Sequence, residues 1–331
     1  MKAVMLHPLG YEERPRGHEP DHFKAIEETL IARGHTMVHW WKAQTEERPD
    51  VVLFNSGVWN LSTGGTSPYN KSFLYTVLDD RIPIVWFDDF DHAGDDKSQG
   101  RWPGSDDWKD MHGYHFASND FAWFGWNISR PDANRILYFM RKMQIHQDYP
   151  DYVHPLEYPI FEDFPLASKD ELMARPFDVC GLANLSGPRA QAMIDLYRDR
   201  RLKVDCEIIP HYRRLDYKEW LDRHRQAKLF LEADASLGSE RPLRLITIAP
   251  MLRVKSDHRL PFPRQDMFNM LEVGDYDGRI GTNDVNKILS FIRSPSSLYR
   301  IYTEGAEHMR KYYSLESRSN YVVDLIEKFV G

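Results

Sequence analysis

Short apolar runs alternate with amphipathic stretches along most of this chain. Lys2–Leu6 reads as a strand, the spacing over His22–Arg33 predicts a helix closed by Gly34, and Thr36–Trp41 and Val51–Phe54 return to strand. The alternation continues with a helix near Tyr69–Leu78, strands at Ile82–Phe87 and near Tyr114–Ser118, and an amphipathic helix from Pro131 to about Gln144. Between 148 and 176 the period is lost. Tyr149, His154, Tyr158 and Phe164 each precede a proline there, which favours extended and turn conformations and marks a linker. A second series follows, with strands at Phe177–Gly181, Lys203–Ile209, Ala227–Leu231 and Met251–Lys255. Its helices are predicted at Pro188–Asp199, Asp216–Gln226, Pro242 to about Ala249, Thr282–Ile292, Ser297–Tyr312 and Leu315–Val330. The expected fold class is α/β, with two Rossmann-like doubly wound domains at 1–165 and 177–312 and a C-terminal helix at 313–331. In such sheets ligands sit beyond the carboxyl ends of the strands, which directs attention to the loops after Phe54 and Phe87.

Composition agrees with two packed domains. A chain of 331 residues exceeds what one hydrophobic core usually covers, and 42% hydrophobic residues suffice to fill two. The apolar runs fall short of the ~20 residues of a membrane span. The amino terminus has too short an apolar stretch for a secretory signal, which places the protein in a cytoplasm. Cys180 and Cys206 have no CxxC or Cys/His spacing, so they read as small buried thiols. The net charge of -7 argues against a surface built throughout for nucleic acid. Two basic clusters remain, Arg198 to Lys203 and Arg213 to Lys228, each readable as a local anion patch or as a solvated helix face with intermixed acids.

The candidate chemistry falls into two pairs of segments. Asn55-Ser56, with Trp59 and the Gly64-Gly65 pair, is followed by Asp88, Asp89, Asp91 and His92. A carboxylate here suits proton abstraction from a poorly nucleophilic hydroxyl. The same four residues also suit a divalent cation such as Mg2+ or Mn2+, or plain loop solvation. In the second half, Gly181 and Ser186-Gly187-Pro188-Arg189 are followed by Glu240, Arg241 and Arg244. Arginines at helix starts grip anions such as a diphosphate, and Arg244 in a mostly apolar helix would be costly to bury unpaired.

The second half, from Phe177 to Gly331, resembles group 1 and CgeB-like glycosyltransferases, and the whole resembles the GT-B architecture. Four segments are similar to motifs of the bacteriophage DNA beta-glucosyltransferases: Asn55-Ser56 with Gly64-Gly65, Phe87-Asp88-Asp89, Leu156-Glu157-Tyr158-Pro159, and Ser186 to Arg189 with Leu243-Arg244. The resemblance implies two domains facing a cleft, with the C-terminal helix packing back toward the first. It implies transfer of a sugar from a nucleotide-sugar, a UDP-sugar, to a hydroxyl acceptor, with inversion and with no metal essential, although one can assist. Asp89, supported by Asp88, would be the base. Gly181, Ser186, Gly187, Arg189, Arg241 and Arg244 would bind donor, and Asn55, Ser56, Trp59, Asp91 and His92 would bind acceptor. Where that family holds the donor ribose with a glutamate, this chain has Thr247, which leaves the contact to Thr247 or to Glu240. The acceptor implied is a hydroxymethylated pyrimidine in phage DNA within a host cytoplasm. A polysaccharide, protein or small-molecule acceptor is the alternative within the class, and a non-catalytic nucleotide- or sugar-binding protein the alternative outside it.

Overall fold

The structure, a computed structural model, describes residues 1–6, 22–38, 48–55, 80–88, 135–140, 148–156, 159–160, 163–183, 187–209, 215–232, 245–255, 266 and 268–331. The side chains at 6, 54, 55, 88, 140, 183, 187 and 189 are outside the description. The predicted elements near Tyr69–Leu78 and Tyr114–Ser118 also lie outside these residues. The chain divides into two compact units, Met1–Glu157 with Leu315–Gly331, and Tyr158–Ser314.

The first unit is built on a parallel six-stranded sheet of order β2-β1-β3-β4-β5-β6, formed by β1 (Lys2–Leu6), β2 (Thr36–Met37), β3 (Val51–Asn55), β4 (Ile84–Asp88), β5 (Ile136–Met140) and β6 (Val153–Pro155). Its inner strands are apolar on both faces because both are covered. Ala3, Val4, Val51, Leu53, Ile84, Val85, Trp86 and Phe87 are all fully buried. The expected helix over 131–144 is wrong where it can be compared. Ile136–Met140 is a strand paired with both β4 and β5's other neighbour, β6. Ile-Leu-Tyr-Phe-Met is a continuous apolar run, and such a run has no period that separates a buried strand from a buried helix. The stretch read as linker also contributes structure, since β6 closes the sheet with Pro155 at its end, a position open to proline on an edge strand.

Helix α1 (His22–Ala32) buries His22, Phe23, Ala25, Ile26 and Leu30 and leaves Lys24 and Glu28 outside. It ends in a Schellman motif: Gly34 has φ +85, its N–H donates to Ile31 O, and His35 N–H donates to Leu30 O. Phe23 meets Phe87 edge-on at 5.3 Å, and Phe87 stacks on Phe139 at 5.1 Å, which ties α1 to the sheet.

The second unit carries a parallel five-stranded sheet of order β11-β10-β9-β7-β8. Its strands are β7 (Phe177–Ala183), β8 (Val204–Ile208), β9 (Ala227–Glu232), β10 (Met251–Val254) and β11 (Leu271–Val273). Between and after them run α2 (Lys169–Met173), α3 (Gly187–Arg198), α4 (Tyr217–Arg225), α5 (Thr282–Ile292) and α6 (Pro295–Tyr313). Asp216 caps α4 by accepting from Lys218 N–H, and Ser168 and Glu171 form a capping box on α2. The core joins Leu229, Leu231, Leu252 and Leu271 of the strands to Leu196, Ile288 and Ile301 of the helices. Between β7 and β9, Lys228 pairs with Asp178 at 2.9 Å, and Asp178 also accepts from Lys203 N–H at 2.9 Å.

The terminal helix α7 (Leu315–Val330) belongs to the first unit, where it packs on α1. Arg33, at the end of α1, reaches Asp324 at 2.6 Å, Glu327 at 2.9 Å and Asn320 at 2.7 Å, while His35 meets Glu327 at 2.7 Å. Those contacts place the C-terminal helix against the N-terminal domain, as the GT-B resemblance implies. Neither Cys180 nor Cys206 is in a disulfide, and burial pushes the Cys206 thiol up to about 12, so it is an inert packing group.

Candidate functional site

Each sheet has one place where the chain reverses its direction of winding. In the first unit β2 lies on one side of β1 and β3 on the other. In the second, β8 lies on one side of β7 and β9 on the other. The crevice beyond the carboxyl ends at such a reversal is where open α/β sheets bind ligands, because the connecting loops diverge there and leave backbone groups uncovered.

In the first unit Asn55 is the last residue of β3 and Asp88 the last of β4. These strands are adjacent, with Asn55 opposite Phe87. Two of the expected residues therefore end neighbouring strands at the carboxyl edge. Ser56 and Asp89 follow them in the chain and, with Trp59, Asp91 and His92, lie outside the described residues. The alternative reading of residues 88–92 as a cation site falls outside them as well.

In the second unit β7 runs to Ala183 and α3 starts at Gly187, so Ser186-Gly187-Pro188-Arg189 spans the strand-to-helix turn at the reversal point. Ser186 lies outside the described residues, Gly187 opens the helix, and Arg189 is its third residue. The first turn of α3 carries no acid, so the positive end of its dipole is uncompensated by its own sequence. Pro188 suits this position because the first helical N–H groups have no partner inside the helix. Gly181 lies within β7 and not in the turn. A Cβ there would meet Leu231 Cδ2 at 3.1 Å and Cys206 Sγ at 3.2 Å, so the glycine lets the side chains of neighbouring strands pack closely.

A turn that sequence reading passed over holds the start of α3. Gly278, with φ +82, sits so close that a Cβ would lie 2.0 Å from Pro188 O and 2.5 Å from Pro188 C. Asp275 organises the turn by accepting from Asp277 N–H at 3.1 Å and Arg279 N–H at 2.9 Å. Ile280 N–H then donates to Asp195 on α3 at 3.1 Å. The Asp275-Tyr276-Asp277-Gly278 composition is a turn signal, but its partner 90 residues upstream is not visible in sequence.

Strand β9 ends at Glu232, and Glu240, Arg241 and Arg244 follow it outside the described residues. Sequence reading also missed Glu232 and Arg253. They are register partners on β9 and β10, 4% and 2% exposed, and they put opposite charges in the sheet toward the carboxyl edge. Thr247 is fully buried. Its hydroxyl accepts from Phe164 N–H at 3.4 Å, and its carbonyl accepts from the Tyr302 hydroxyl at 2.7 Å. The structure thus brings Thr247 to the segment before α2 and to α6.

Several members of the basic clusters are paired within the fold, while Arg213 and Arg214 lie outside the described residues. Arg201 pairs with Asp199 at 2.6 Å, Arg223 pairs with Asp205 and Glu207, Arg225 lies 3.3 Å from Asp222, and Lys228 binds Asp178. No described helix is long and apolar enough to cross a membrane.

Two α/β units with parallel sheets, and the terminal helix returned to the first, define the GT-B fold. Solved structures of glycosyltransferases share it over nearly the whole chain. An alpha-glucosyltransferase in complex with UDP and a 13-mer DNA containing a central A:G mismatch has TM-score 0.52 at 10% identity, covering 99% of this chain and 99% of its own. Anabaena HepE in complex with UDP has TM-score 0.50 at 10% identity, covering 99% and 100%. A glycosyltransferase from Rickettsia africae ESF-5 has TM-score 0.50 at 8% identity, covering 99% and 98%. No protein-family model and no curated protein matches the sequence.

Proposed function

We propose that the protein transfers a sugar from a UDP-sugar to a hydroxyl acceptor. The observation that carries this reading is the coincidence of motif and topology. The Ser186–Arg189 segment spans the reversal point of the second sheet, and Asn55 and Asp88 end adjacent strands of the first. The solved structures of this fold that hold UDP support the choice of donor.

In the proposed reaction the acceptor oxygen attacks the anomeric carbon while the bond from that carbon to the diphosphate oxygen breaks. Asp89 takes the hydroxyl proton as the new bond forms, so inversion follows from a single displacement. The leaving diphosphate gains negative charge. Arg189, Arg244, Arg241 and the amino end of α3 stabilise it, an arrangement that needs no reorganisation at the moment of bond breaking. Glu240 holds the ribose, since Thr247 is fully buried against Phe164 and Tyr302; Gly187 lets the backbone come close, and Asn55, Ser56, Trp59, Asp91 and His92 line the acceptor side.

The acceptor we propose is a hydroxymethylated pyrimidine in duplex DNA, flipped out of the stack to expose its hydroxyl. Motif similarity to DNA glucosyltransferases supports it, as does the DNA held by an alpha-glucosyltransferase of the same fold. One observation favours a different hydroxyl acceptor: Arg201, Arg223 and Arg225 are paired to the protein's own acids, which leaves less free positive charge for a phosphate backbone.

Mass spectrometry of nucleosides tests this reading. Purified protein is incubated with UDP-sugars and with duplex DNA containing hydroxymethylcytosine or hydroxymethyluracil, with unmodified DNA as control. A sugar mass on hydroxymethylated bases alone is expected. Donor hydrolysis without DNA modification moves the acceptor to a polysaccharide, protein or small molecule, and absence of both overturns the transferase reading. Asp89→Asn is expected to reduce transfer by about 10²–10⁴-fold while UDP affinity is retained, whereas a binding protein would have no turnover to lose.

A further inference from the structure

The second unit contains a cavity of about 500 Å3 on the edge of its sheet opposite the proposed donor site. Its polar wall is made by Glu171, Thr247 and Tyr302 together with Arg175, two residues before β7, and Arg225, two residues before β9, so both arginines stand at the amino ends of their strands. Phe164, Pro165, Leu166 and Ile248 make the apolar wall. Strand β7 has 7 residues, which at ~3.3 Å each separates this edge from the Ser186–Arg189 turn by roughly 20 Å.

Of the residues that line this cavity, two are arginines and one, Glu171, is an acid. Arg175 is half-buried, its Nη1 donates to Ala227 O at 2.8 Å, and among the described residues it makes no ion pair. Glu171, which also lines the cavity, accepts from Ser168 N–H at 2.7 Å in the capping box and keeps its negative charge near Arg175. Burial, and the like charge of Arg225, push the Arg175 guanidinium below its ordinary value, although the neighbouring Tyr302 and Glu171 oppose the change. Arg225, itself exposed, lies with its Cζ 4.8 Å from the Phe164 ring centroid and its Nη1 3.3 Å from Asp222. The Tyr302 hydroxyl is already used, donating to Thr247 O and accepting from Ala167 N–H at 3.2 Å. Two guanidinium forks facing one space suit a carboxylate or phosphate, whose oxygens accept paired N–H groups. The volume lies within the range of small-molecule sites.

We infer that this cavity is a second ligand site, for a small organic anion that joins one phosphate or carboxylate to an apolar body. The anionic end meets Arg175 and Arg225, and the body packs on Phe164, Leu166 and Ile248. Phe164 to Ala167 belong to the stretch that leads from β6 to α2, so an occupant fixes this connecting segment onto the second sheet. The inference stands apart from the proposed activity, since no residue of the donor turn takes part.

Isothermal titration calorimetry with three probes tests it: phenyl phosphate, benzoate and inorganic phosphate. Saturable binding of phenyl phosphate or benzoate, at least tenfold tighter than inorganic phosphate, is expected, and whichever ring-bearing probe binds tighter identifies the preferred anionic group. Arg225→Gln and Arg175→Gln should each weaken that binding at least tenfold, while Arg189→Ala on the donor side should leave it unchanged. If Arg175→Gln does not fold, Arg225→Gln and Phe164→Ala carry the test. No saturable binding at millimolar probe, equal affinity in the Arg225 variant, or loss of binding in Arg189→Ala overturns the inference.

Discussion

Gly278→Ala separates two contributions that a glycine can make. At φ +82 an alanine pays the left-handed backbone cost of roughly 1–2 kcal/mol. Its Cβ would also lie 2.0 Å from Pro188 O, a contact with backbone that no side-chain rotation relieves. Either the 275–280 turn or the start of α3 must move, at a cost typical of overpacking, about 1–3 kcal/mol. The sum is about 2–5 kcal/mol, or roughly 4–20 °C in the unfolding of a domain of this size. Gly34→Ala is the control. Gly34 has φ +85 with nothing within 4 Å of a Cβ, so it should lose the backbone cost alone, roughly 1–2 kcal/mol. Differential scanning calorimetry of both variants gives the difference, and titration with UDP gives its functional consequence. Because Pro188 stands in the first turn of the helix proposed to face the diphosphate, UDP should bind roughly three- to tenfold more weakly to Gly278→Ala, and with unchanged affinity to Gly34→Ala. Equal destabilisation by the two substitutions would refute the close approach. Large destabilisation with unchanged UDP affinity would refute the link from this turn to the anion site.

Acid stability of the first unit should depend on His22. Burial, and then the charge of Arg318, hold its imidazole down to about 3, below the ordinary 6.5. The unfolded chain therefore takes up the proton first, and stability present above pH ~6.5 falls as pH drops toward ~3. By pH 4.5 the loss is about 2–3 kcal/mol. His22→Leu should flatten that part of the profile in thermal unfolding between pH 7 and 4.5, and an unchanged slope would count against the buried neutral imidazole. Gly181→Ala should cost about 1–3 kcal/mol by crowding Leu231 and Cys206, and Cys206→Ala should recover part of it in a double-mutant cycle. Strict additivity of the two would show that Cys206 is not the obstacle.

What the sequence determined by itself is the local grammar. Val51–Asn55 and Ile84–Asp88 are apolar runs of strand length, and α5 and α7 carry uninterrupted helical spacing, so their type was legible without a partner. The start of α3 was legible too, because Gly-Pro before an amphipathic stretch is a helix-start signal. Ile136–Met140 was not. Its five residues are apolar throughout, and pairing with β4 on one side and β6 on the other, 13 or more residues away, selected strand over helix. Leu271–Val273 is too short to declare itself, and β10 makes it a strand. The terminal helix shows an apolar face in sequence, but Arg33 and His35, nearly 300 residues upstream, decide which unit it covers. Likewise Arg175 and Arg225 are unremarkable charges until parallel pairing of β7 and β9 brings their strand starts to one edge, and Thr247 sits among a donor motif in sequence yet beside Phe164 and Tyr302 in space. Periodicity records what each segment buries. Only chain reversal and register determine which segments share an edge, and with them which charges face one another.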